Sequence, residues 1–201
     1  HFSYKNVPME LKPVQKPFPP IFYPSSNENG ARYCGTHGYH YVTLGPTSDA
    51  AKRIAAYREA LAARGTVNHP LAGFDHGAVA GINRRVVVAD TDAEAIKIAE
   101  PAFKRWHASL TKLARENAGG PVDAIHEIAE LKKSMEEGVF IVGSPETVRR
   151  EVEKQIKDMN CNYMGIAFHF GTLKIGEVKH SLKLFADEVI AKLPKTAAAA
   201  E

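Results

Sequence analysis

The chain of 201 residues predicts an α/β fold of parallel strands joined by crossover helices. Three observations lead there. Short apolar runs and helical patterns follow one another repeatedly, and strand–helix alternation of that kind gives parallel strands with crossover helices. The apolar runs do not alternate with polar residues, as happens when both faces of a sheet are covered. Hydrophobic residues make 44% of the chain and charged residues 24%, an ordinary globular balance that excludes a disordered chain, a collagen-like repeat or a coiled-coil rod.

Val7–Pro24 holds six prolines, which fix φ and remove donors, so residues 1–20 are expected as an extended lead-in. Within it Ile21-Phe22-Tyr23 is a short apolar strand. Ser25-Ser26-Asn27 then offers helix N-caps ahead of Glu28–Cys34. Tyr39–Leu44 is rich in β-formers and stops at Gly45-Pro46. Thr47 or Ser48 caps a helix through Arg64, with Ile54, Tyr57 and Leu61 at helical spacing. Thr66–Asn83 is polar and glycine-rich, and is read as a loop. Arg84–Ala89 carries the β-branched run Val86-Val87-Val88 as a third strand. Thr91-Asp92-Ala93-Glu94 reads as a capping box, with Ile96, Ala99, Phe103, Trp106, Leu110 and Leu113 on one stripe behind it. Pro101 is expected to kink or split that helix. After Gly119-Gly120-Pro121 a weaker helical pattern includes Val122, Ile125, Ile128, Leu131 and Met135. Val139–Val142 is short and apolar, and Ser144-Pro145 opens a helix to about Met159. Tyr163–Phe170 is the fourth clear strand. Val178, Leu182, Phe185 and Val189 mark a last amphipathic helix, and residues 195–201 an alanine-rich, frayed tail.

The net charge of +3 comes from interspersed lysines, arginines and carboxylates, which argues against a nucleic-acid or membrane-surface binder. No apolar window is long enough for a membrane helix, and His1–Pro24 has no signal-peptide core. Two cysteines, Cys34 and Cys161, make no disulfide framework, so a reduced, cytoplasmic protein is expected.

Four strands fit either a small complete sheet or part of a (β/α)8 barrel, which needs eight strands. A resemblance separates the two. VPMELKPVQKPFPPIFYPSS at Val7–Ser26, THGYHYVTLGPT at Thr36–Thr47, VVVADTDAEA at Val86–Ala95, FIVGSPETV at Phe140–Val148 and the late NYMGIAFHFG…SLKLFADEV are similar, in that order, to luciferase-like flavin-dependent monooxygenases. The resemblance covers nearly the whole chain, residues 1–201. It implies the C-terminal half of a (β/α)8 TIM barrel, with four strands and the usual catalytic histidine in the half that is absent. It also implies reduced FMN, or alternatively a deazaflavin, acting with dioxygen on a small-molecule substrate. A flavin reductase and a homodimer partner come with the same implication.

By that resemblance Ser25, Ser26 and Asn27 hold the flavin phosphate, with Gly30 allowing close approach. Their position at a strand end and a helix start suits an anion on chemical grounds as well. The family form places a glycine pair before the serines, where this chain has Tyr23-Pro24. His107, beside Trp106, is a weaker candidate for the flavin pocket, Trp106 itself being read as core. No catalytic residue is assigned. Cys34, His37 and His40 have metal-ligand types, but their spacing runs from a helix end into a strand without a fourth ligand, so no metal is expected. His169 is read as a core histidine. The other function class is a non-catalytic flavin- or partner-binding module that dimerises to bury its open edges.

Overall fold

The computed structural model describes residues 2–8, 11–16, 18–64, 77–117 and 128–194. Most of the predicted loop at 66–83, the Gly119-Gly120-Pro121 break with Val122 and Ile125, and the tail lie outside the described residues.

Five strands form one parallel sheet: β1 (Phe22–Pro24), β2 (His40–Thr43), β3 (Ala80–Val88), β4 (Phe140–Gly143) and β5 (Tyr163–Ala167). The helices are α1 (Glu28–His37), α2 (Thr47–Ala63), α3 (Asp92–Leu110), α4 (Lys112–Glu116), α5 (Leu131–Glu136), α6 (Pro145–Met159) and α7 (Ile175–Leu184). A π-helical turn (Phe185–Val189) and a 3-10 turn (Ile190–Lys192) follow.

β3 organises the sheet. β2 pairs with its Ala80–Ile82, β4 with its Arg85–Val88 and β5 with its Gly81–Arg85. A strand has two edges, and β5 shares paired residues with both β2 and β4. β5 therefore runs along one edge, while β2 and β4 follow each other along the other. β1, β2, β3 and β5 are thus four neighbouring staves, and β4 extends the sheet beyond the end of β2. That accounts for two departures from the sequence reading. The third strand begins at Ala80 inside the expected loop, because pairing on both sides fixes a Gly-containing segment that has little strand propensity of its own. The short Val139–Val142 run is a paired strand of its own.

One face of the sheet is sealed by helices. Tyr41, Ala80 and Ile82 pack on Cys34 of α1 and on Ile54 and Tyr57 of α2. Val86, Val88 and Ile141 pack on Val148 and Val152 of α6 and on Phe185 and Val189. At the far end of β3, Val87 and Ala89 join Phe140, Phe170 and the α3 residues Ala99 and Phe103. The opposite face of the staves is open at its margins, where Phe22 is 38% and Tyr163 40% exposed. Both faces are therefore covered along β4 and the far end of β3, where Val87, Phe140 and Val142 pack on α3 and the alternating Val86, Val88 and Ile141 on α6, whereas the expectation fails at Phe22 and Tyr163.

Helix details also differ. α3 runs unbroken through Pro101, and the break falls at Thr111. Its buried face is Ala95, Ala99, Ala102 and Phe103, small residues that allow close approach, whereas Ile96 and Leu113 of the predicted stripe are exposed. In α7 the buried residues are Val178 and Ser181. Ser181 is buried and its hydroxyl accepts from the Val88 N–H at 2.8 Å, while Leu182 faces out. α2 starts at Thr47 with no side-chain cap. Ser144 sits at the N-cap of α6 without using its own hydroxyl as a cap; Asp92 accepts from its N–H at 2.6 Å and from the Thr147 hydroxyl at 3.0 Å. Those bonds, the Ser144 amide first, hold the Asp92 carboxyl below its ordinary range.

Consecutive arginines divide between the two faces. Arg84 is 1% exposed on the helix side, and burial lowers its pKa to about 10. Its guanidinium donates to Gln155 Oε1 at 2.7 Å, Gly45 O at 2.9 Å and Thr47 Oγ1 at 3.2 Å. Three elements are thereby tied by neutral acceptors, so this buried cation is satisfied without a carboxylate. Arg85 points to the opposite face.

Candidate functional site

The carboxyl ends of parallel barrel strands are where such folds build sites. At the end of β1 the chain makes a tight turn into α1. The Ser25 N–H donates to Val42 O at 3.2 Å, continuing the ladder, and the Tyr41 hydroxyl donates to Ser25 O at 2.9 Å. Tyr41 is fully buried and stacks on Tyr57 with ring centroids 5.4 Å apart, so the turn is fastened from below.

Asn27 is the N-cap predicted from sequence: its Oδ1 accepts from the Gly30 N–H at 2.8 Å. Ser25 Oγ accepts from the Asn27 N–H at 3.4 Å. Gly30 is required by the turn itself, since a Cβ there would lie 2.0 Å from Ser25 Oγ. Ser26 is exposed. Among the described residues the Glu28 and Asn29 N–H groups have no acceptor, as expected for the first turn of a helix. Two amides and the Ser26 hydroxyl are therefore free donors at the positive end of a helix of 10 residues. This donor set fits a phosphate; the Glu28 carboxylate in the same turn opposes it. Ser25, Ser26, Asn27 and Gly30 are thus brought together by the structure.

His107 lies apart from that turn, on α3. It is half-buried and stacks on Phe103 with centroids 5.8 Å apart. Trp106 packs against the core cluster, as the sequence suggested. His169 is exposed, contrary to expectation, and lies past the end of β5 at Ala167 between the core residues Phe168 and Phe170. His37 Nδ1 lies 2.8 Å from Tyr33 O, and His40 Nδ1 accepts from the Val79 N–H at 3.0 Å. No three His, Cys, Asp or Glu side chains among the described residues gather as metal ligands.

Sequence reasoning missed the second feature of the open face. A cavity of about 590 Å³ is lined by Leu44, Asn83, Arg85, Tyr163, Gly165 and Ala167 among others. The Arg85 guanidinium lies 4.1 Å from the Trp106 ring centroid and 5.8 Å from that of Phe140. Period-two alternation along β3 was a signal for it: residues 83 and 85 must face away from buried Ile82 and Arg84.

A parallel run of four staves joined by crossover helices is the architecture of part of a (β/α)8 barrel. The model of the luciferase-like monooxygenase family matches residues 1–159, and the chain belongs to that family. The "uncharacterized protein y4wF" of Sinorhizobium fredii is 29% identical over 177 residues, 87% of this chain and 49% of that protein. Among solved structures, the oxygenating constituent of 3,6-diketocamphane monooxygenase from Pseudomonas putida, in complex with FMN, superposes with a TM-score of 0.60 at 20% identity, over 88% of this chain and 49% of that one. An F420-dependent secondary alcohol dehydrogenase, in complex with an F420-acetone adduct, gives 0.57 at 17% identity, over 86% and 48%. The chain spans about half the length of the relatives it matches. The neighbours are barrels of this kind, so the expected C-terminal half of the barrel is borne out as a fold. Among the described residues no helix is long and apolar enough to cross a membrane.

Proposed function

We propose that this chain supplies the phosphate anchor and one wall of a flavin-dependent oxidoreductase that uses reduced FMN and dioxygen on a small organic substrate. A deazaflavin is the alternative cofactor, because relatives of this fold include proteins in complex with FMN and with F420. The observation that carries the reading is the Ser25–Gly30 turn, with its free Ser26, Glu28 and Asn29 donors at a stave end. When bound, a flavin supplies electron transfer and, when reduced, reaction with oxygen. The residues of this chain bind and orient. Helix-end amides and the Ser26 hydroxyl hold the phosphate, and Asn27 keeps α1 in the pose that presents them. The open sheet face forms one wall, which excludes water once the remaining staves close over it. On this reading the chain alone is inactive and the catalytic groups lie in the other half.

Titration of the purified chain with FMN, followed by flavin fluorescence anisotropy, tests the anchor. Ser26→Ala is expected to weaken binding roughly tenfold, the scale of one charge-assisted hydrogen bond, and Asn27→Ala roughly several-fold, through the lost cap that holds the first turn of α1. Unchanged affinity in both variants would remove the phosphate site.

A further inference from the structure

We propose that Asn83 and Arg85 form a carboxylate-binding subsite on the open face of the sheet, and that the substrate of this half-barrel is a small organic acid with an apolar body. The argument begins with the contrast between two adjacent arginines. Arg84 has its donors placed on Gln155, Gly45 and Thr47. Arg85, one residue on and on the other face, makes no hydrogen bond or ion pair among the described residues, and its guanidinium lies against the Trp106 and Phe140 rings. A guanidinium carries five N–H donors. Stacking on an indole covers one face of the group and leaves its edges free, which is the geometry for taking a carboxylate bidentately.

The surroundings favour an anion. Arg85 is half-buried, and burial alone draws its pKa below the ordinary arginine value. Among the described residues no carboxylate lines the cavity that it borders. A partly desolvated cation without a counter-charge gains from an anion brought to it. Asn83 lies two residues away on the same face of β3 and is exposed, adding an amide donor. Gly165 makes the room: a Cβ there would lie 2.1 Å from Asn83 Oδ1. Leu44, Tyr163 and Ala167 supply apolar surface for the rest of the molecule. The subsite is on β3 and β5, away from the helix-end amides of α1, so it is distinct from the proposed phosphate anchor.

This inference rests on reading the open face as the substrate side of the proposed flavin site, and the experiment keeps the two separate. Trp106 is the chain's single tryptophan, so its fluorescence reports directly on the Arg85 stack. The chain is titrated with benzoate, with neutral benzamide and with inorganic phosphate. Saturable benzoate binding is expected, at least roughly tenfold tighter than benzamide or phosphate. Arg85→Met keeps a stem over the indole and is expected to weaken benzoate at least roughly tenfold, with Arg85→Lys intermediate. Asn83→Leu leaves the stack intact and is expected to weaken benzoate several-fold, which keeps the test decisive if Arg85→Met fails to fold. FMN affinity should stay unchanged in Arg85→Met and Asn83→Leu. No saturable benzoate binding, equal binding of benzamide, phosphate competing as well as benzoate, or indifference to both Arg85→Lys and Asn83→Leu would each overturn the proposal. Loss of FMN binding in Asn27→Ala with benzoate binding retained supports both sites as separate. Retention of FMN binding in both Ser26→Ala and Asn27→Ala with benzoate binding intact removes the anchor and leaves this subsite standing.

Discussion

Gly35→Ala is a sharp test of how α1, which presents the phosphate turn, is held. In an exposed helix interior, alanine is favoured over glycine by about 1 kcal/mol. Gly35 is buried where α1 crosses α2, and an added Cβ would lie 2.5 Å from Tyr57 O and 2.8 Å from both Ala60 Cβ and Leu61 N. Two of those atoms are helical backbone, which cannot rotate away. Overpacking of this kind costs roughly 1–3 kcal/mol, and the backbone contacts place it at the upper end. After subtracting the propensity gain, a net loss of about 1–2 kcal/mol remains. For a chain of this size that lowers Tm by roughly 2–8 °C, at about 2–4 °C per kcal/mol. Gly176→Ala in α7 is the matched control, because nothing lies within 4 Å of its added Cβ. It should leave Tm unchanged or raise it by up to about 2–4 °C, the scale of its propensity gain. Thermal unfolding followed by circular dichroism on both variants decides the matter. A Gly35→Ala variant at least as stable as the parent would refute the reasoning, and so would the two variants falling together.

Two further outcomes follow from charge and burial. Asp92 has a folded pKa below its unfolded value, about 3.9, so its stabilisation is present above that value and is lost as pH falls through the folded one. The Tm gap between the parent and Asp92→Ala should therefore shrink on going from pH 7 to about pH 2.5, and a gap that grows would refute the capping role. Burial pushes the Cys34 thiol up to about 11, and Cys161 is also raised and buried. Both should react with a maleimide at pH 8 only in denaturant; rapid native-state labelling would contradict their packing.

The parts of this fold that could be read in the sequence are those with local causes. Ile21–Tyr23 and Val86–Val88 announce strands by composition, and Asn27 announces a helix start because its side chain caps within one turn. What stayed hidden has partners far along the chain. Ala80–Asn83 is a strand only because β2 and β5 flank it. The cap of α6 is Asp92, 52 residues before the Ser144 amide it accepts from. A buried Arg84 has no sequence signature, since its acceptors come from Gly45, Thr47 and Gln155. The phosphate turn was legible as a turn, and the Asn83–Arg85 face became visible only when the register of β3 was known.

The pairing of β3 also sets an order of events during synthesis. Its residues Gly81–Arg85 wait for Tyr163–Ala167, and its tip waits for Phe140–Gly143, so the central stave is made well before two of its three neighbours. Closing loops of that length is slow compared with forming the local α1–α2 hairpin. A nascent chain leaving the ribosome therefore holds a half-dressed β3, and the last stave docks only when translation of this segment is nearly finished.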